Sequence, residues 1–324
     1  MPKNAKCKMR NVELLPPCPR ATIQHFSLRT LHCARRRSRL CTILFLACVL
    51  AQANAASARD FLWKVTGKTG SVYLVGSVHL LTQDFYPLSA AFERAFAESD
   101  LLVEETDFGE LTSPQAQMLM LSRGMLPSNQ SLDKVVSPAT FAKISARATQ
   151  LGVPIEPLKR FKPWMLALTL AALEWQKAGF DVEYGLDKHF YDRARKDNKR
   201  VEGLETAAFQ ISRFDGLSPD QQERLLAETL KDLDSEMANI SKIAEAWKSG
   251  DAQSIENIVL QDLKDDTQMY QRLLVERNRN WMTKLDGLLT RPGRAFIVVG
   301  AAHLVGPDGL LVMLKSKGYE IEQM

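Results

Sequence analysis

A chain of 324 residues, 45% apolar and 25% charged, is long enough for one large domain or two modest ones and too apolar to be disordered throughout. Ten of the 42 Lys and Arg but one of the 38 Asp and Glu fall in residues 1–58, so the remaining body holds 32 basic against 37 acidic residues, a net −5, and offers no basis for nucleic-acid binding. All five cysteines (Cys7, Cys18, Cys33, Cys41 and Cys48) lie in that same segment, which excludes disulfides, thiolate metal sites and a cysteine nucleophile from the body.

Residues 1–58 read as an export leader. A basic cluster, Arg35-Arg36-Arg37-Ser38-Arg39, precedes an apolar run from Leu40 to Ala51 and then the small-residue patterns Ala53-Asn54-Ala55 and Ala56-Ser57-Ala58. The run is short of the roughly 20 residues a membrane span needs. It predicts cleavage near Ala55 or Ala58 and a periplasmic mature chain of residues 59–324, with an uncleaved inner-membrane anchor as the runner-up. A lipid-attachment reading of Phe45-Leu46-Ala47-Cys48 lacks the Leu expected three residues before the Cys. The stretch before Arg35 is longer than a signal's charged part requires, so residues 1 to about 27 fit a start assigned too early.

Beyond the leader, Phe61–Val65 and Ser71–Val75 are β-rich runs joined by Gly67-Lys68-Thr69-Gly70, the pattern of a strand pair and turn. The second run continues into Gly76-Ser77-Val78-His79. A helix over Ala90–Glu98 and a buried-looking strand over Leu101–Glu105 complete a βαβ unit whose strands should be parallel. From about 110 to 290 the pattern is mostly helical. Ser113-Pro114, Ser137-Pro138 and Ser218-Pro219 each pair a capping hydroxyl with a first-turn proline, and Ser218 with Gln221 adds a capping box. Further helices are predicted over Pro163–Ala178, Gly185–Asp197, Thr206–Phe214 and Met237–Leu289, the last with a break near Gly250-Asp251; Arg200–Gly203 is a candidate short strand.

The end of the chain repeats the plan of the beginning. A continuous apolar strand, Ala295–Val299, leads into Gly300-Ala301-Ala302-His303, then a helix over Pro307–Lys317 and a last strand over Tyr319–Glu322. The expected fold is α/β: a mixed, largely parallel sheet formed by the two ends of the chain, carrying a large helical insertion.

After the leader the sequence holds three histidines, His79, His189 and His303, and two of them close a Gly-x-x-His motif at the carboxyl end of a strand. Open α/β sheets place ligands at such ends. Glycine there lets the backbone approach a ligand without a Cβ, and neutral imidazole is a common ligand for zinc and similar ions. A lone motif of this kind is ordinarily a turn or core histidine; the repetition points to a metal. With no thiolate present, the third ligand should be an oxygen from a neighbouring strand end. Glu104 and Glu105 close the third strand, and alternation sends them to opposite faces. Glu105 is the choice. His189 lies in an amphipathic helix and reads as structural.

Several of these segments together resemble the TraB/GumN family, related to the Tiki metalloproteases that trim Wnt ligands. The resemblance runs from about Phe61 to Ile321. It rests on Tyr73–His79, Leu102-Val103-Glu104-Glu105-Thr106-Asp107, Tyr184-Gly185-Leu186-Asp187, Gly203-Leu204-Glu205-Thr206, Glu276-Arg277-Asn278 and Val299–His303. It implies an α/β core with a helical insertion. For Tiki-like members it implies manganese- or cobalt-supported peptidase activity, with the metal on His79, His303 and Glu105; zinc stays open on the ligand types alone. The family commonly has one glutamate after the apolar residues where this chain has Glu-Glu-Thr-Asp, which leaves Glu104 as the alternative to Glu105.

Arg277 could hold a substrate carboxylate or stabilise an oxyanion, against a surface salt bridge as the plainer role. Asp187 and Glu205, at helix starts after glycine-containing turns, fit either substrate binding or capping. The sequence thus leads to an exported, peptidase-like metallohydrolase in which a metal-bound water attacks an amide or ester carbonyl, with Glu104, Glu105 or Asp187 as base. Its substrate would be a peptide or small molecule. The alternative is a non-catalytic periplasmic protein that sequesters a peptide or small ligand, as the pheromone-shutdown role attached to the TraB name suggests. A structural envelope role is suggested by the GumN name alone.

Overall fold

The computed structural model describes residues 59–324 apart from 261, 262 and 265, and within the long helix Pro219–Lys248 the side chains of residues 232–240 also lie outside the description. The segment read as an export leader, with its expected cleavage positions and the cysteines, lies outside the described residues. No helix among the described residues is long and apolar enough to cross a membrane.

Strand β1 (Leu62–Thr66) turns through Gly67 and Gly70 into β2 (Gly70–Ser77), pairing antiparallel with Leu62 opposite Val75 and Thr66 opposite Ser71. Ser89 caps helix α1 (Ala90–Ala97) by accepting from the Ala91 amide, and the chain enters β3 (Leu101–Glu104), buried along its whole length. Helices α2 (Pro114–Gly124), α3 (Pro138–Leu151) and α4 (Pro163–Lys177) follow, the first two capped by Ser113 and Ser137 as their Ser-Pro starts predict. Helix α5 (Leu186–Lys196) leads to β4 (Arg200–Gly203), then come α6 (Ala207–Asp215), α7 (Pro219–Lys248), α8 (Ala252–Val259) and α9 (Glu276–Thr290). Strand β5 (Gly293–Gly300), the one-turn helix Ala301–Leu304, α10 (Leu310–Ser316) and β6 (Glu320–Gln323) end the chain.

The six strands form one sheet in the order β4-β3-β5-β2-β1-β6, with β4, β3, β5 and β2 parallel to one another. The fold class is therefore mixed α/β with a largely parallel sheet, as the sequence predicts. The βαβ unit at the start is real, but its strands are not neighbours: β5, from the far end of the chain, inserts between β2 and β3. Its run Phe296-Ile297-Val298-Val299 is buried on both faces, which suits the most central position available. β6, half-exposed in alternation, takes the outer edge against β1. Strand β4 divides the helical insertion, returning the chain to the other edge of the same sheet.

Two apolar cores result. One gathers the sheet, α1, α5, α9 and the aromatic cluster around Trp247; the other lies within the insertion, where Leu132, Ile144, Leu166, Leu170 and Leu226 pack from α3, α4, α7 and the turns between them.

The helix predicted to begin at Met237 belongs to a longer one. The Ser218 capping box, with the Ser218 amide donating to Gln221 Oε1 at 2.9 Å, starts α7 at Pro219, and it runs unbroken until Gly250, at φ 65°, closes it. The remainder breaks a second time, and a π-helical turn over Gln271–Val275 sits directly before Arg277. Such turns recur at functional sites because they rotate the side chains that follow.

Candidate active site

The register of the parallel strands decides which side chains meet. Ser77 stands opposite Gly300 and Glu104 opposite Val298, so the two Gly-x-x-His segments leave adjacent strands at one level, with Glu105 one residue beyond β3 beside them. Past β4 the pairing continues: Leu204 and Glu205 amides donate to the Glu104 and Glu105 carbonyls at 2.7 and 2.8 Å. That places Glu105 and Glu205 side by side.

His79, Glu105 and His303 come together. A Cβ placed on Gly300 would lie 3.1 Å from Glu105 Oε1, 3.5 Å from His79 Nε2 and 3.7 Å from His303 Cδ2. The glycine of the second motif thus keeps open the point on which the three converge. The glycine of the first has a different cause: a Cβ on Gly76 would strike the Phe61 ring at 2.3 Å, so this glycine serves packing, not ligand approach. Gly185 has a third. Its Cβ would lie 2.1 Å from the His79 carbonyl oxygen, so the Tyr184-Gly185-Leu186-Asp187 segment can cross His79 only as glycine.

That crossing delivers Asp187. Its Oδ2 accepts from His79 Nδ1 at 2.9 Å and from the Ser77 hydroxyl, leaving His79 Nε2 toward the cavity. The Asp187 carboxylate raises the His79 pKa to about 9. His303 is oriented by Asn278, whose amide nitrogen donates to the carbonyls of His303 and Asp308 at 3.2 and 2.9 Å. Asn278 Oδ1 must then face His303 Nδ1, 2.6 Å away, which fixes a protonated Nδ1 and a free lone pair on Nε2. Burial pushes the His303 pKa down to about 3, keeping the ring neutral.

Arg277 fills the space between. Its Nη1 donates to His303 Nε2 at 3.0 Å, its Nη2 to Glu105 Oε2 at 2.5 Å and to Glu205 Oε1 at 2.7 Å, and its Nε to Glu205 at 3.0 Å. Trp281, one turn along α9, lies under the guanidinium at 4.8 Å and 4.5 Å from the His303 ring, and its indole N–H donates to Glu205 Oε2 at 2.9 Å. Glu205 is therefore committed to Arg277 and Trp281. Burial raises its pKa despite these partners. Glu105 also accepts from the Gly300 amide at 2.7 Å and from Gln210 at 3.1 Å. Burial would raise its pKa, but the Arg277 guanidinium above all, with His79, holds it well below the usual carboxylate range.

Glu104 turns to the opposite face, where Oε2 accepts from the Phe108 amide at 2.9 Å and Oε1 has no protein partner. Buried at 2% exposure, its carboxyl has a pKa raised to about 8 by desolvation and, less, by Asp187 and Asp107. His189 packs between Tyr86 and Phe190, ring centres 4.8 and 5.0 Å away, and lines neither of the cavities at the strand ends. Ser77, Gln210, Asn278 and Trp281 are the site residues to which sequence reasoning gave no role. Ser77 and Asn278 sit inside motifs already singled out, which was the available signal; Gln210 and Trp281 carried none.

The donor set suits a divalent cation in type. Both imidazoles commit Nδ1 to an oxygen acceptor and present Nε2, the arrangement usual for metal-binding histidines, and Glu105 Oε1 faces the same point. The distances are not yet those of a closed coordination sphere: no group of three or more His, Cys, Asp or Glu among the described residues is arranged to hold an ion. Arg277 stands where such an ion would draw Glu105 and His303 together.

The family model described as TraB/PrgY/gumN matches residues 61–323. An uncharacterized protein, YbaP, of Escherichia coli K12 is 28% identical over 243 residues, covering 75% of this chain and 87% of that protein, and its Shigella flexneri counterpart matches equally. An uncharacterized protein of Treponema pallidum is 20% identical over 303 residues, covering 86% of this chain and 90% of that one. No solved structure matches.

Proposed function

The chain belongs to the TraB/PrgY/gumN family, and from that premise and the geometry at the strand ends we propose an exported, metal-dependent hydrolase acting on peptides. The observation that carries this reading is the convergence of His79 Nε2, Glu105 Oε1 and the His303 ring on the open side of Gly300. These three residues would hold a divalent ion, manganese or cobalt by the family resemblance and zinc by donor type. Such an ion supplies a water acidic enough to ionise near neutral pH and a positive charge beside the scissile carbonyl.

The chain's own residues perform the rest. Asp187 and Asn278 hold the two imidazoles in their Nδ1–H forms. His79 must shed its second proton before Nε2 can act as a ligand, so binding weakens below its pKa. Arg277 Nη1 must release His303 Nε2 for the same reason, which frees a guanidinium to receive a substrate carboxylate or the oxyanion of a tetrahedral intermediate. Glu205 and Trp281 keep that guanidinium at the site. Export through residues 1–58, with cleavage near Ala55 or Ala58, would place the enzyme in the periplasm; an uncleaved leader would tie it to the inner membrane.

Metal analysis of the chain from residue 59 onward, wild type beside His79→Ala and His303→Ala, tests the reading together with peptide hydrolysis in added manganese, cobalt or zinc. Bound metal and hydrolysis in the wild type, both lost in the variants, is the expected result. Neither metal nor hydrolysis in the wild type overturns it. One observation favours a second reading: Arg277 already closes the site against Glu105 and His303, leaving a buried cationic anchor that would suit a protein sequestering a peptide carboxylate. In that case the ligand is recovered unchanged.

A further inference from the structure

Two cavities open at the strand ends, and they meet at His79 and Glu105, sharing no other lining residue. Beyond the two shared residues, their walls come from different parts of the chain. The larger, about 350 Å³, contains the convergence point, with Arg277, Gly300 and His303 on its floor; the rest of its lining includes Trp175, Ile243, Ile255 and Val259 and adds no charged side chain to those of the site. Trp175 is half-buried at the end of α4, Ile243 comes from α7, and Ile255 and Val259 come from successive turns of α8. The smaller cavity, about 220 Å³, is lined by Phe108, Leu111 and Val182 together with Thr106, Asp187, Lys188 and Gln210, and most of the surface it exposes is apolar as well.

Two cavities that meet at the reacting groups give a chain a wall on either side of the attacked bond, so that residues before and after it can both be seated. From this we infer that the substrate is an extended peptide cut at an interior bond, with a large aliphatic or aromatic side chain beside that bond seated among Trp175, Ile243 and Val259. The residue across the bond lies in the smaller cavity, against Phe108, Leu111 and Val182. The apolar pocket is built by three helices of the insertion, so it is the insertion that sets specificity. The strand ends set the chemistry. The inference rests on the hydrolase reading for its bond cleavage, but not for the two subsites, which exist for a bound peptide whether or not it is cut.

The test therefore has two arms. Internally quenched peptides varied on both sides of a central bond are offered to the metal-loaded protein, and products are identified by mass; in parallel, calorimetry follows binding of the same sequences with that bond reduced to an uncleavable amine. Peptides carrying Leu or Phe beside the bond should be cut internally, and bound, about tenfold better than those carrying Ala or Ser, the scale of discrimination a hydrophobic pocket provides. Trp175→Ala should lower cutting and binding of Leu- and Phe-containing peptides several-fold more than of Ala- and Ser-containing ones, and Val259→Ala, a milder change, should do so to a smaller degree. Binding with the predicted preference but no cleavage would sink the hydrolase reading and leave the subsites standing. Cleavage or binding indifferent to the apolar residue, a uniform effect of Trp175→Ala on all peptides, or release of terminal residues alone would overturn the inference.

Discussion

At the scale of single residues, the two carboxylates that end β3 and the histidine opposite them are set to very different proton affinities by what each one faces. Asp187 holds the second proton on His79 by its charge. Replacing it with Asn should return the His79 pKa from about 9 toward the ordinary 6.5, a shift that can be read from imidazole NMR titration in metal-free protein. A pKa raised in the folded state stabilises the fold below the unfolded value of 6.5 and ceases to do so above about 9. Asp187→Asn should therefore lower the Tm at pH 6 and have less effect at pH 10. With 58% of the His79 side chain exposed, solvent screens the pair and the change should be modest.

Glu104 is shifted in the same direction by a different cause, its burial. Its pKa is raised, so its unfolded form ionises first as pH climbs from about 4.5, and the fold loses stability until the buried carboxyl itself ionises near pH 8. Glu104→Gln, neutral at every pH and able to accept from the Phe108 amide, should match the wild type near pH 4 and exceed it by on the order of a few kcal/mol at pH 8 in urea unfolding. Equal pH profiles for the two proteins would show that Glu104 is ionised in the native state.

Among the elements, β2 and β5 present the same tetrapeptide pattern for different physical reasons, and one substitution made in each should separate them. Gly76→Ala drives a methyl into the buried Phe61 ring and should cost about 1–3 kcal/mol of stability. Gly300→Ala meets Glu105 Oε1 at 3.1 Å at the convergence point, so it should leave the Tm closer to that of the wild type while abolishing metal retention. Similar losses of stability in both, with metal retained, would show that the two glycines serve packing alike.

These strands also mark what a sequence can carry. The ends of β2 and β5, the three Ser-Pro caps and the placing of Glu104 and Glu105 on opposite faces follow from local rules: alternation along a strand, a hydroxyl before a proline, glycine after an apolar run. The insertion of β5 between β2 and β3 follows from none of these, because strand neighbours are selected by burial over the whole sheet. The roles of Asn278 and Gln210 escape for the same reason. Each depends on a partner brought alongside by the fold, His303 in one case and Glu105 in the other. Glu205, which the sequence offers for substrate binding or capping, is held beside Glu105 by the continuation of the β3–β4 pairing, a neighbour that no local pattern announces.

For the molecule as a whole, the consequence of that topology is that the candidate site joins segments spread from residue 77 to residue 308, and Arg277 is where their charges are reconciled. Glu105 and Glu205 arrive side by side on the ends of β3 and β4, both buried, and α9 brings the guanidinium that bonds to each. Burial disfavours all three charges, and Arg277 stays protonated because the two carboxylates outweigh that effect. Removing one partner of such a cluster commonly costs about 3–5 kcal/mol, since it leaves like charges facing one another without water. Arg277→Met should therefore destabilise the protein by about that much in urea unfolding, more than a surface substitution on α9 would. A cation-binding site makes a second demand. With Nη1 gone from His303 Nε2 and Nη2 gone from Glu105, a divalent ion meets no competitor, and any ion that binds the native state alone adds stability with its concentration. The variant should then recover part of its lost Tm in millimolar manganese or zinc, by a larger increment than the wild type gains. Adding His79→Ala should abolish that recovery. A Tm for Arg277→Met that ignores the ion would mean that the guanidinium is itself the cation this fold was built around, and would favour capture of a peptide over its cleavage.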